Sequence, residues 1–579
     1  MSRTGRVVGR GAGGRIARSG IARSGVELLS SFRPRRALPT MVLLSIATGA
    51  LVGILVAGFE QLTVEVLLER LLAAPLWWQA VAPVVGLGAT VVILRLAGRG
   101  ATPSTSDEYV RAFHERHPRL PISQLPAKLL AGVATIGLGG SVGLEGPSVY
   151  AGATVGHGTQ GLFGRWLRRE EAKMLLTAGA AAGIAAVFKT PATGVIFALE
   201  APYRDDVARR ALLPALLASA SGYLVYVAVL GTAPVIDLGS HDVDLSIIHL
   251  GGGALLGLVA GLGGRGFAGL VRWAKGLENR FPIGMRILVG GAVLAGLVVA
   301  SDAVFGHPLS LGPGVEATKW LRDSEHTLLL VAALLAFRVV ATLTTVGAGG
   351  AGGLFIPLAV QGVIVGSFLG QAMGVNEIGL YRTLGLAAFL AAGYRAPITA
   401  VMFVAESTGT SAFVVPALIA AAASQLVAGT SSVASYQLDK RQGVVERRLA
   451  LPLTSVLTTD TLTVPPDATV SELVHIHLIG RREREVPVVD GGQYRGMCGL
   501  EQVSDLEREA WDTTLVAGIT RRDLPTARPS WTLRDTMTQM DSNDTDHLAV
   551  TDDHGTFIGV VRADDILRLD EILDETEGV

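Results

Sequence analysis

Apolar stretches long enough to enter a bilayer recur along the chain from Met41 to about Ala428. Three run almost without interruption, at 41–59, 76–98 and 327–349. Others, at 129–143, 174–200, 350–372 and 384–405, are shorter and broken by glycine or proline. Continuous spans predict a simple helical bundle. Broken ones predict helices that stop inside the membrane, where the freed backbone must face a protein-lined or watery cavity. After Gln437 polar residues return and the pattern changes to strand–turn–strand, in VPVVDGGQYRGMCGL (486–500) and LAVTDDHGTFIGVVR (548–562), each with helical patterns before and after. The expected fold class is an all-α polytopic membrane unit followed by a duplicated α/β module.

The membrane part is itself duplicated. PATGVIFALE (191–200) matches PITAVMFVAE (397–406), with Pro, Thr, Val, Phe and Glu at the same offsets. Upstream, GLEGPSVYAGATVG (143–156) and GGLFIPLAVQGVIVG (352–366) each carry a proline followed by glycine five and nine residues later. Paired halves with interrupted segments at corresponding positions point to a binding site near the bilayer midplane.

Composition narrows the class. Of 579 residues, 49% are hydrophobic and 17% charged, against about a quarter charged in a soluble protein. Mean hydropathy is +0.45. The formal net charge of −1 gives no basic field for nucleic acid. A single cysteine, Cys498, excludes an internal disulfide framework and a cysteine metal cage, and His475 and His477 lack partner ligands nearby in sequence, so no metal is expected. Residues 1–36 are rich in arginine and glycine with Glu27 as their only acid; they read as a disordered tail held on the cytoplasmic side. No His-E-x-x-His, G-x-S-x-G or paired-aspartate motif is present to run hydrolysis, so an enzyme is not expected.

An anion in a low-dielectric slab needs compensation, yet a lysine in its path would hold it too tightly for release. Helix N-termini are milder, because their unpaired N–H groups and the helix dipole point at the anion. Such a site needs glycine for close backbone approach and proline in the first turn. GLEGP (143–147) and GLFIP (353–357) supply both, which makes Gly143 and Gly146 candidate anion-binding residues. Glu145 is an ionisable residue inside an apolar stretch, and such residues mark pathways by default. A carboxylate there either takes the place of the anion and gates the pore or merely caps its own helix.

These residues carry a family resemblance. Residues 37–437 resemble a CLC chloride channel or transporter, and the tail resembles the paired CBS domains that many CLC proteins append, as modules at 450–510 and 511–579. GLEGP resembles the family's G-K/R-E-G-P, whose glutamate is the external gate; Leu144 stands where a base is usual. GGLFIP resembles G-x-F-x-P, whose amides bind the central anion, which implicates Phe355 and Ile356 as anion-binding residues, and Lys128 stands at the family's spacing before the gate. The resemblance implies inverted repeats with broken helices, chloride as the transported ion, and a homodimer in the plasma or inner membrane with both termini cytoplasmic.

Three departures bear on mechanism. The family's filter serine falls at Ser104, with Ser106 beside it, when counted without gaps from Lys128; aligning prolines puts Gly100 there. The family's inner tyrosine position is Ala434, with Tyr436 two residues on. Where proton-coupled relatives place an inner glutamate, Ala201 follows Glu200. The last departure favours a passive chloride channel gated by Glu145, with a proton/chloride antiporter as the alternative. Glu200 and Glu406, closing equivalent repeat helices, are expected to serve structure.

In the tail, the ribose-binding signature G-h-h-S/T-x-x-D of CBS pairs survives in GVVRADD (559–565) only as Asp565, with Arg562 at the hydroxyl position. GMCGLEQ (496–502) has Gly499 and Gln502 in the key places. An adenine nucleotide at this pair is weighed against a purely structural tail. A rival of another class is a non-conducting, membrane-anchored nucleotide sensor.

Overall fold

The computed structural model describes residues 37–115, 118–163, 169–233, 235–236, 246–440, 448–480 and 483–577; the basic tail lies outside them. The chain divides into two compact units, Met1–Arg441 and Gln442–Val579.

The first unit is helical, and among the described residues eight helices are long and apolar enough to cross a membrane. Their outer faces keep large apolar side chains exposed, among them Leu43, Leu96, Leu288 and Leu426, as expected where lipid is the solvent. The breaks read from glycine and proline are present. Helix Leu125–Gly137 stops and Glu145–Phe163 starts after a short loop. Leu328–Gly347 stops in the same way before Phe355–Ala372. Arg169–Phe188 gives way to Pro191–Glu200, and Ile378–Tyr394 to Pro397–Thr408. The prolines begin or lie in the first turn, where the missing N–H costs nothing.

The glycines spaced five and nine residues after each proline bring backbones together. A Cβ at Gly152 would run into the Gly179 carbonyl and one at Gly156 into that of Leu175. In the second half the same clashes fall at Gly362 against Gly385 and Gly366 against Tyr381. Each re-entrant helix therefore lies backbone to backbone on its successor, the close packing that small residues permit in membranes.

The repeats also lock into each other. The Glu200 carboxylate accepts from the Ile398 and Thr399 amides at 3.1 and 2.8 Å and from the Thr399 hydroxyl at 2.6 Å. The Glu406 carboxylate accepts from the Ala192 and Thr193 amides at 2.8 and 2.6 Å and from the Thr193 hydroxyl at 2.6 Å. Each glutamate closes its own helix and caps the start of the opposite repeat's helix, satisfying donors that would otherwise be orphaned.

The second unit holds two hairpins. β1 (Glu485–Asp490) pairs with β2 (Gln493–Gly499), and β3 (His547–Thr551) with β4 (Phe557–Arg562), both antiparallel and each with one register shift near the turn. The hairpins meet back to back: the Tyr494 amide donates to the Gly555 carbonyl at 3.1 Å, the Phe557 amide to that of Gly492 at 2.9 Å, and the Tyr494 and Phe557 rings stack 6.2 Å apart. The segment leading into the first module crosses to the second, where Leu453 donates to the Trp531 carbonyl at 2.9 Å and packs with Leu533, Leu548 and Val561. A module boundary at residue 450 thus cuts through chain that belongs spatially to the other module.

Candidate anion pathway

The two re-entrant helices begin side by side because the loops before them pair. The Gly143 amide donates to the Gly353 carbonyl at 2.9 Å, and the Gly353 amide to that of Gly143 at 2.7 Å. A Cβ at Gly146 would sit 2.7 Å from the Gly353 nitrogen, so the approach of the two helix starts requires glycine.

Glu145 stands at the first position of one helix and reaches across to the other. Its Oε1 accepts from the Phe355 amide at 2.5 Å. The residue is 1% exposed, and its Oε2 has no hydrogen-bond partner among the described residues. Burying a carboxylate costs several kcal/mol even after relaxation. A charge-assisted hydrogen bond returns ~1.5–3 kcal/mol and a helix start up to ~2 kcal/mol. The terms nearly cancel. A seat so balanced holds a carboxylate or a small anion of the same charge, and neither deeply.

Aromatic rings wall this seat. Phe355 packs against Phe188 at 4.5 Å, Phe403 at 5.1 Å, Phe197 at 5.9 Å and Tyr394 at 6.2 Å between centroids. Such packing excludes water and leaves backbone amides as the polar groups at the helix start.

On one side a cavity of about 210 Å³ is lined by Leu144, Phe188 and Ile356 together with Glu60, Glu69, Glu316, Lys189 and Lys319. Its two lysines are outnumbered by three glutamates, and Lys319 is paired with Glu316 at 2.8 Å.

Lys128 does not face the anion. It is 1% exposed, its Nζ donates to Glu108 at 2.5 Å and to the Ser104 carbonyl at 2.7 Å, and it lies 4.4 Å from the centre of the Tyr150 ring. Its charge is spent on fixing the 104–108 segment. Ser104 turns its carbonyl to this lysine, the Thr105 Oγ1 of its successor donates to the Gly352 carbonyl at 3.3 Å, and Ser106 begins the helix Ser106–His114. Gly100 lies in the left-handed turn that closes helix Leu76–Leu96, with φ +79°.

Neither position left open for an inner tyrosine carries a phenol to the seat. Ala434 packs partly buried against the core. Tyr436 is 58% exposed at a strained φ of +66°. Ala201 is buried, its carbonyl accepting from Gln437 Nε2 at 2.9 Å, and His114 Nε2 lies 2.7 Å from the next carbonyl, that of Pro202.

In the tail, Asp565 sits in the first turn of helix Ala563–Glu577. Its neighbour Arg562 pairs with Glu483 at 2.8 Å. Gln502 is spent as a cap, its Oε1 accepting from the Gly499 amide at 2.9 Å. Among the described residues no group of three or more His, Cys, Asp or Glu is placed to hold a metal.

The family model for voltage gated chloride channels matches residues 86–429, and that for the CBS domain matches 453–506 and 516–571. The chain is 29% identical over 320 residues to an H(+)/Cl(-) exchange transporter ClcA of Salmonella paratyphi A; the match covers 52% of this chain and spans only 65% of that relative. A protein of the same name from Citrobacter koseri is 27% identical over 430 residues, covering 69% of this chain and 88% of the relative. Among solved structures, a slow cyanobacterial Cl-/H+ antiporter superposes with a TM-score of 0.60 at 24% identity, over 67% of this chain and 94% of that one. A eukaryotic CLC transporter superposes at 0.58 and 18% identity, over 91% and 98%. At these identities the structural likeness is one of fold.

Proposed function

Because the chain belongs to the voltage gated chloride channel family, a family of multi-pass anion-transporting membrane proteins, we propose that it passes chloride or a similar small anion through a seat at the start of helix Phe355–Ala372, and that Glu145 is the gate. The observation that carries this reading is the Glu145 carboxylate lying on the Phe355 amide, the position an anion of like charge must take. Gly143 and Gly146 bring the helices close enough for one seat to be shared, and Phe355 and Ile356 supply the amides.

Passive, gated conduction is the transport mode favoured by the residues, since Ala201 offers no inner carboxylate to hand on a proton. Coupled proton/chloride exchange is the second reading, favoured by the names of the relatives. A homodimer with one pathway per subunit, and with both termini and the CBS pair in the cytoplasm, completes the proposal. The CBS pair acts in it as a structural module, Asp565 alone keeping the nucleotide signature. The test is chloride efflux from reconstituted vesicles with simultaneous proton readout. Efflux without proton movement supports the passive reading and obligatory counter-movement supports exchange. No efflux, from the parent or from Glu145→Gln, would leave the membrane-anchored sensor as the better account.

A further inference from the structure

The first turn of helix Ser106–His114 carries two acids, Asp107 and Glu108, and both are buried, at 8% and 7% exposure. They stand where an anion pathway tolerates negative charge least. Two residues before Asp107, Thr105 Oγ1 bonds the Gly352 carbonyl at 3.3 Å, and a Cβ at Gly146 would run into that oxygen. The turn therefore abuts both loops that bring the re-entrant helix starts together. Acids at a helix start are ordinarily favoured by the dipole, but here they compete with a transported anion for the same field. Glu108 is answered by Lys128. Asp107 is answered from a distant part of the chain, by Lys275 in the last turn of helix Ile247–Gly276.

The cluster around Lys275 is closed on itself. Its Nζ donates to Asp107 Oδ2, to the Val433 carbonyl at 3.0 Å and to the Ser435 hydroxyl at 3.3 Å, which uses all three donors of the ammonium. Asp107 accepts in addition from the Ser435 amide at 2.8 Å and from the Ser435 hydroxyl at 3.2 Å. Holding the 432–435 segment does not by itself ask for charge. Neutral bonds already do so, from the Val433 amide to the Gly393 carbonyl at 2.8 Å and from Ser432 Oγ to the Tyr394 carbonyl at 3.3 Å. Removing one partner of a buried pair leaves the other charge uncompensated. Without the lysine that charge is negative; without the aspartate it is positive.

We propose that Lys275 sets the anion affinity of the pathway through Asp107, whose buried charge it neutralises and whose place beside Thr105 it holds. The inference rests on the reading of an anion seat at the start of helix Phe355–Ala372. Lys275 is a positioning residue in this account, since it acts on the anion by cancelling a neighbour. The sign of the effect separates the account from a mere clamp. Deleting either half of a clamp loosens the same segment and lowers affinity both times. Deleting either half of a charge balance moves affinity in opposite directions.

The test is chloride titration calorimetry on the purified full-length protein in the Glu145→Gln background, where the seat is free of the competing carboxylate. Adding Lys275→Met is expected to weaken chloride binding about tenfold and adding Asp107→Asn to strengthen it about threefold, as one unpaired unit charge near the seat implies. The pair Lys275→Met and Asp107→Asn together should return the affinity to within about twofold of the parent, as coupled partners do, and Lys275→Arg should keep it there. Arg272→Gln removes an exposed cation bonded to the same segment, at Ser431 Oγ, 3.2 Å, and should change nothing. Shifts of like sign in the two single variants, no shift in either, or an equal shift in Arg272→Gln overturn the inference while leaving the seat reading intact. If the Glu145→Gln parent itself binds no chloride, the seat reading falls and the inference with it. Where Lys275→Met yields no folded protein, Asp107→Asn decides alone, and an affinity that does not rise overturns the proposal.

Discussion

A buried carboxylate whose second oxygen has no partner is held by little, and Glu145 is such a group. Protonation removes its reason to stay on the Phe355 amide, so anion flux should rise as the pH falls. Glu145→Gln keeps the shape without the charge. It is expected to raise chloride flux at neutral pH on the order of tenfold, corresponding to ~1.4 kcal/mol of lost competition, and to flatten the pH profile. Vesicle efflux across a pH series measures both, and a profile identical to wild type rejects the gate. Another residue titrates outside the membrane. His547 is nearly buried between Glu485, 2.6 Å from Nε2, and Asp546, 2.7 Å from Nδ1. Burial works against its charge, but the two carboxylates outweigh that and hold the imidazole above its ordinary range. A raised folded value means the contribution is whole below the ordinary value of about 6.5 and disappears as the pH climbs through the folded one. Intrinsic-rate-corrected hydrogen-exchange protection of β3 should therefore fall as pH rises above about 6.5, by on the order of 1 kcal/mol, and be flat in His547→Gln; protection that is level or rising in the wild type rejects the ion pair. At this scale Glu145 was legible as an ionisable residue inside an apolar stretch, and the G-x-F-x-P resemblance pointed to Phe355 and Ile356. The sequence hid Thr105, whose approach to the Gly352 carbonyl depends on how Lys128 pulls the Ser104 carbonyl.

Elements, more than residues, explain why the chain repeats. The glycine pair after each proline was legible as spacing, and its meaning is a backbone contact: Gly152 faces the Gly179 carbonyl and Gly362 that of Gly385. Gly152→Val should abolish recovery of monodisperse protein, since two helix backbones cannot part without unpacking the site. Gly58→Ala, where an added Cβ meets nothing within 4 Å, should be neutral or stabilising by ~0.5–1 kcal/mol. Equal loss in both variants by size-exclusion yield would defeat the close-contact explanation. The exchange of caps between Glu200 and Glu406 makes a second claim. Each accepts three donors from the opposite repeat, so Glu200→Gln and Glu406→Gln should each cost ~1–3 kcal/mol through a lost charge-assisted bond. A thermal melt in detergent showing one variant destabilised and the other untouched would contradict the symmetry. The matching decapeptides announced that these helices correspond. That each glutamate would cap the other's helix, and not its own neighbour, follows only from the inverted arrangement, which local spacing does not encode.

For the molecule as a whole the open physical choice is between dissipating a chloride gradient and exchanging it for protons. Coupling needs a titratable group at each end of a proton path. The outer end has Glu145. At the inner end Ala201 contributes a buried methyl, and the amide of Gln437 bridges the carbonyls of Ala201 and Tyr394, a contact that carries no proton at ordinary pH. His114 touches the Pro202 carbonyl, but its Nε2 faces an acceptor that cannot return a proton. On the proposed passive reading, a path with one working end dissipates the gradient. Under a chloride gradient the reversal potential of the reconstituted protein should then follow chloride alone, about 59 mV per tenfold, and stay fixed when a pH gradient is added. A displacement with pH that vanishes in Glu145→Gln would place the protein with its exchanging relatives. If His114→Ala removed the same displacement, the imidazole would be serving where the carboxylate is missing.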